Sequence, residues 1–142
     1  MSTVTAQLRD GVTTTIHARQ FSWIADEPLA AGGSDEGPTP YEILLGSLAA
    51  CTAITLRLYA NHKGIDLRNV DVALEFDRVH ADDCKDCEDD ATGFIERVTS
   101  HVTMRGSFDE AQRKRLAQVA SRCPVHKTLS NGVHISDSVA FE

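Results

Sequence analysis

The sequence predicts an α+β fold in which antiparallel sheets pack on one long central helix. Three observations carry that prediction. The stretch from Thr39 to Gly64 is apolar on nearly every face and bounded by start and stop signals. Short segments of alternating apolar residues flank it on both sides. The order along the chain is strands, long helix, two strands, helix, strand, and segregated runs of this kind make α+β rather than doubly wound folds.

The long helix has its start written twice. Thr39 offers a capping hydroxyl, Pro40 stands where a missing N–H costs nothing, and Glu42 completes a Thr-x-x-Glu capping box. Gly64 is a natural stop. Between them Ile43, Leu44, Leu45, Leu48, Ala49, Ala50, Ile54, Leu56 and Leu58 leave no polar face, which predicts burial in a core or an interface. The uncharged run from Ile43 to Thr55 is shorter than the roughly 20 residues that cross a bilayer, and Arg57 ends it, so a membrane span is not expected. Cys51 sits at its centre, with Ser47 one turn before and Thr55 one turn after on the same face.

Ahead of the helix, three alternating segments read as strands: Val4, Ala6 and Leu8; Val12, Thr14 and Ile16; Phe21, Trp23 and Ala25. Asp10-Gly11 is a hairpin dipeptide that pairs the first two antiparallel. The segment from Leu29 to Pro38 is a Gly-rich loop, but it lacks the Lys of a phosphate-binding loop and carries Asp35 and Glu36 in the way. Beyond Gly64, residues 70–77 alternate strictly and pair with residues 94–104. An acidic loop, residues 80–93, joins them. Ser107 and Glu110 suggest a second capping box, opening a helix to about Arg122. Pro124 ends it, a short helix follows from Cys123 to Asn131-Gly132, and Val133, Ile135, Val139 and Phe141 mark a final strand.

The 142 residues suit a single domain, 1–142, with a core of its own. A net charge of −7 from 21 acidic and 14 basic residues, without a basic cluster, argues against nucleic acid or an anionic membrane as partner. The N-terminal residues show neither the basic flank nor the apolar core of a secretory signal, so the expected location is cytoplasmic. In that compartment Cys51, Cys84, Cys87 and Cys123 are more readily reduced, catalytic or metal-binding than structural bridges.

Each cysteine has a plain reading beside a chemical one. Cys51 can be a small apolar residue of a packed helix, and its own helix does little to ionise it, being some three turns from the N-terminus. Cys123 stands at the N-cap of the short helix with Arg122, His126 and Lys127 nearby, a setting that favours a reactive thiol; Cys-x-x-His could also be half a metal site. His80, Cys84 and Cys87 combine a Cys-x2-Cys knuckle with a histidine, which suits zinc, while the surrounding acids equally suit a solvated loop or a local redox pair.

Gly37-Pro38-Thr39-Pro40-Tyr41-Glu42-Ile43-Leu44-Leu45, then Ala49-Ala50-Cys51, then Arg122-Cys123-Pro124-Val125-His126 together resemble the OsmC/Ohr family of peroxide-reducing proteins over most of the chain. The resemblance implies the OsmC-like fold, an intertwined homodimer with active sites at the subunit interface. It implies reduction of organic hydroperoxides without metal or bound cofactor. Cys51 then attacks the peroxide, Cys123 resolves the sulfenic acid as a disulfide, and a dithiol such as a lipoyl protein recycles it. The family's assisting Arg corresponds to Arg19 in preference to Arg9. Its activating Glu falls at Tyr41 here, leaving Glu42 one residue later as the candidate. Glu42 is on the far face of a continuous helix and roughly 13 Å along its axis from Cys51, and its capping role accounts for it. The other reading is a catalytically weak relative that binds an apolar small ligand at the dimer interface, with zinc in the Cys84/Cys87 loop.

Overall fold

The computed structural model describes residues 2–80 and 94–142, the side chains at 78–80, 94 and 95 excepted. The chain forms two compact units, Met1–Ser47 and Leu48–Glu142, with the boundary inside the long helix.

In the first unit the expected strands are present as an antiparallel meander: β1 (Thr5–Leu8), β2 (Thr14–Ala18) and β3 (Phe21–Ala25). The β1–β2 register sets Leu8 opposite Thr14, and β2–β3 sets Ile16 opposite Trp23. The loop after β3 is organised by a residue that the sequence pattern does not single out. Asp26 is buried, and its carboxylate accepts from the Glu27 N–H at 2.8 Å, the Thr13 hydroxyl at 2.9 Å, the Glu36 N–H at 3.2 Å and the Ser34 N–H at 3.3 Å. The Glu27 N–H does most to hold the acid below its ordinary range, burial opposes it, and the Glu36, Thr13 and Ser34 donors add to the lowering. Gly33 belongs to this wrapping: a Cβ there would stand 1.9 Å from the Glu27 carbonyl oxygen.

The long helix α1 runs Pro40–Lys63 with both halves of the expected cap in place. Glu42 N–H donates to Thr39 Oγ1 at 3.2 Å, and Thr39 N–H donates to the Glu42 carboxylate at 2.7 Å. Gly64, in the left-handed region at φ 66°, ends it. By length and composition α1 could cross a membrane. One side of it packs on the chain: Leu48, Thr52, Leu56 and Ala60 form one buried ridge at i, i+4 spacing, and Arg57 donates to the carbonyls of Leu67 and Arg68.

In the second unit, β4 (Asp66–His80) pairs antiparallel with β5 (Phe94–Ser107), both longer than expected, with a register shift between Leu67 and Asn69. His80 therefore ends a strand rather than opening the acidic loop. The core gathers Leu56, Ala60, Leu67, Leu116 and Val119, flanked by Tyr59, Ile65, Val70, Val102, Met104 and Phe108.

Two further expectations are corrected. Helix α2 spans Glu110–Ala120, and its box is formed by Asp109 and Gln112, not Ser107 and Glu110. Gln112 N–H donates to Asp109 at 2.7 Å and Asp109 N–H to the Gln112 side chain at 3.0 Å. Ser107 cannot cap because it is still in the ladder, opposite Asp66. The final strand is also absent: residues 133–142 carry no regular structure and are exposed, Phe141 by 94%. Alternation supplies a face, but a strand exists only where a neighbour completes its ladder, and among the described residues none does.

Candidate functional site

Helix α3 (Pro124–Asn131) forms as its residues require, with Pro124 at its first position and Gly132 at its exit. Its N-cap is Cys123, in extended backbone conformation, and the thiol sulfur takes the place of a capping oxygen. His126 N–H donates to Cys123 Sγ at 3.3 Å. One of the free N–H groups of the helix start is thereby aimed at sulfur, and the partial positive charge of the terminus lies against it. The sulfur is fully buried, whereas Cys51 is half-buried.

The second group at this sulfur comes from α1. Thr52 Oγ1 lies 3.7 Å from Cys123 Sγ and also donates to the Leu48 carbonyl at 3.0 Å. Cys51 immediately precedes Thr52, so this contact brings Cys123 to the turn of α1 that carries the other candidate thiol. Thr52 is the site residue that sequence reasoning passed over. A hydroxyl one turn after Leu48 and one turn before Leu56 marks the buried ridge, but in an all-apolar helix that spacing acquires meaning only once the buried face is known.

Beside this pair a cleft of about 210 Å3 opens among Leu48, Thr52, Ser100, Val102, Ala117, Ala120, Ser121 and His126. A neighbouring hollow of about 290 Å3 shares Leu48, Ser100 and His126 and extends past Glu96, Val98, Leu129 and Ser130. The walls are mainly apolar, with the imidazole of His126 common to both; its Nδ1 is 3.3 Å from Ser130 Oγ.

A sequence profile described as OsmC-like protein matches residues 33–136. The chain belongs to that family. No curated protein sequence matches it. Among solved structures it is similar to an OsmC-like protein from Mycoplasma pneumoniae, at 26% identity, TM-score 0.70, covering 92% of this chain and 87% of the other. An osmotic stress induced and detoxification response protein from Psychrobacter arcticus 273-4 matches at 24% identity and TM-score 0.64, covering 90% and 88%. The organic hydroperoxide resistance protein of Bacillus subtilis shares the fold at 22% identity and TM-score 0.57, covering 90% and 89%.

The other expected residues of this OsmC-like protein are distributed as follows. Glu42 caps α1 through its carboxylate. Arg19 is exposed at the β2–β3 turn with a positive φ of 54°, its guanidinium 5.0 Å from the centre of the Phe21 ring. Both belong to the first unit, while Cys51, Thr52, Cys123 and His126 belong to the second. Cys84 and Cys87 lie outside the described residues, as does the side chain of His80. Among the described residues no group of three His, Cys, Asp or Glu is arranged to hold a metal ion.

Proposed function

We propose that this OsmC-like protein reduces organic hydroperoxides with two thiols. The Cys51 thiolate attacks the peroxide, forming an S–O bond as the O–O bond breaks, and the departing alkoxide takes up a proton to leave as an alcohol. Cys123 then attacks the resulting sulfenic acid, giving a disulfide and water. A dithiol such as a lipoyl group returns both sulfurs to thiols. The observation that supports this reading is the 3.7 Å approach of Cys123 Sγ to Thr52, which sets Cys123 against the turn of α1 that carries Cys51; the disulfide of the proposal requires their Cα atoms to come within about 7 Å. The apolar cleft beside the pair fits an alkyl chain.

The working unit is a cytoplasmic homodimer in this proposal, supported by Ile54 at 58% and Leu58 at 62% exposure on the unburied side of α1. Arg19 is the candidate to assist the thiol; Glu42, occupied in its cap, is the weaker one. Tyr41 at the position of the family's Glu favours a second reading, an apolar-ligand carrier of low activity with zinc in the Cys84/Cys87 loop.

Turnover of an alkyl hydroperoxide with dihydrolipoamide separates the two. Cys51→Ser abolishes consumption, and Cys123→Ser gives a single turnover that stalls at a trappable sulfenic acid on Cys51. Undiminished consumption by Cys51→Ser with a sulfenic acid on Cys123 reverses the roles. An inactive native protein that still binds apolar ligands leaves the carrier.

A further inference from the structure

Thr52 has one hydroxyl proton, and two acceptors compete for it: the Leu48 carbonyl at 3.0 Å and Cys123 Sγ at 3.7 Å. The carbonyl lies inside α1, where the helix ladder already supplies it with the Thr52 backbone N–H, so it loses little if the hydroxyl turns away. The sulfur has the greater need. A thiol can donate, whereas a thiolate can only accept. Rotation about the Cβ–Oγ1 bond serves both states without displacing a heavy atom.

We propose that Thr52 is a positioning residue for Cys123: its hydroxyl accepts from the thiol while bonded to Leu48, then turns to donate to the sulfur once that proton is lost. The thiolate is thereby held against the turn that carries Cys51. Two donors converge on it, the Thr52 hydroxyl and the His126 N–H at 3.3 Å. Thr52 is 4% exposed and Cys123 0%, so water does not dilute these charge-assisted bonds. The consequence for chemistry rests on the two-cysteine reading. In the resolving step the Cys123 thiolate attacks the Cys51 sulfenic sulfur, the S–S bond forms, the S–O bond breaks, and the departing hydroxide takes up a proton as water. Of the ionisable side chains, His126 of α3 lines both the cleft and the neighbouring hollow and Glu96 of β5 lines the hollow; Cys51 is the residue before Thr52 on α1, and exposed Arg122 and Lys127 lie near Cys123 in sequence.

Thr52→Val keeps the shape and removes the hydroxyl, Thr52→Ser restores a hydroxyl, and Thr52→Ala repeats the loss with less bulk. The full chain is given one equivalent of alkyl hydroperoxide at a series of pH values and quenched, and the Cys51–Cys123 disulfide is followed by mass spectrometry. Disulfide formation falls about tenfold at neutral pH in Thr52→Val and its rising limb moves to higher pH, while sulfenic acid still forms on Cys51 and Thr52→Ser recovers the rate. A second measurement needs no peroxide: the ultraviolet thiolate absorbance due to Cys123, taken as the difference from each variant's Cys123→Ser counterpart, drops at fixed pH in Thr52→Val and Thr52→Ala. Unchanged absorbance in folded Thr52→Val overturns the proposal. A drop in absorbance with no disulfide in the native chain supports the Thr52 role and refutes the peroxidase reading.

Discussion

Leu56→Ala tests whether the ridge that seats the site is as tightly held as its geometry implies. Leu56 has no exposed surface and is enclosed by Ala60, Leu67, Leu116 and Val119. Removing three carbons forfeits about 2.4 kcal/mol of transfer free energy at roughly 0.8 kcal/mol per CH2. Collapse is limited, because Ala60 is on the same rigid helix and Leu67 is next to carbonyls held by Arg57. A residual void of about 40 Å3 adds about 1 kcal/mol at about 24 cal/mol per Å3. The expected loss is therefore about 3.5 kcal/mol, a large part of the 5–15 kcal/mol typical of a folded protein, and a fall in Tm of about 10 °C. Urea unfolding followed by far-ultraviolet circular dichroism at fixed protein concentration measures it. A midpoint shift worth less than about 1 kcal/mol, at unchanged slope, would refute the reasoning, since it would mean that the space closes or was never tightly filled.

Two further outcomes follow from other parts of the molecule. The carboxyl of Asp26 is held below its ordinary 3.8, so its stabilising contribution is fully present above that value and is lost as the pH falls through the lowered one. Residues 27–37 should become protease-sensitive in that acid range and, in Asp26→Asn, already at neutral pH; equal resistance of both proteins at neutral pH would remove the organising role. For the homodimer proposed above, Ile54→Glu combined with Leu58→Glu should leave a folded monomer in light scattering, because both side chains are exposed on the single chain. An intact dimer would exclude this face of α1 as the contact.

What could be read along the chain was local. Thr39, Pro40 and Glu42 start α1 because a cap needs only residues three apart, and Cys123, Pro124 and Gly132 bracket α3 for the same reason. Period-two alternation marked β1 to β5 because successive side chains of a strand point to opposite faces. Both candidate thiols stood out, and with them the family.

Tertiary structure decided whatever depends on a partner distant in sequence. Ser107 and Asp109 both begin plausible boxes, and the pairing of Ser107 with Asp66 gave the cap to Asp109. The alternating tail from Val133 to Phe141 found no ladder in its own chain. The apolar residues surrounding α1 could not reveal which ridge faces inward; packing against α2 and the β4–β5 sheet chose Leu48, Thr52, Leu56 and Ala60. That choice turned a threonine without a sequence signature toward a sulfur 71 residues away, and a contact of this kind has no local cause: it exists only because Leu116 and Val119 of α2 bury against Leu56 and Ala60 of α1 and carry the following Cys123 with them.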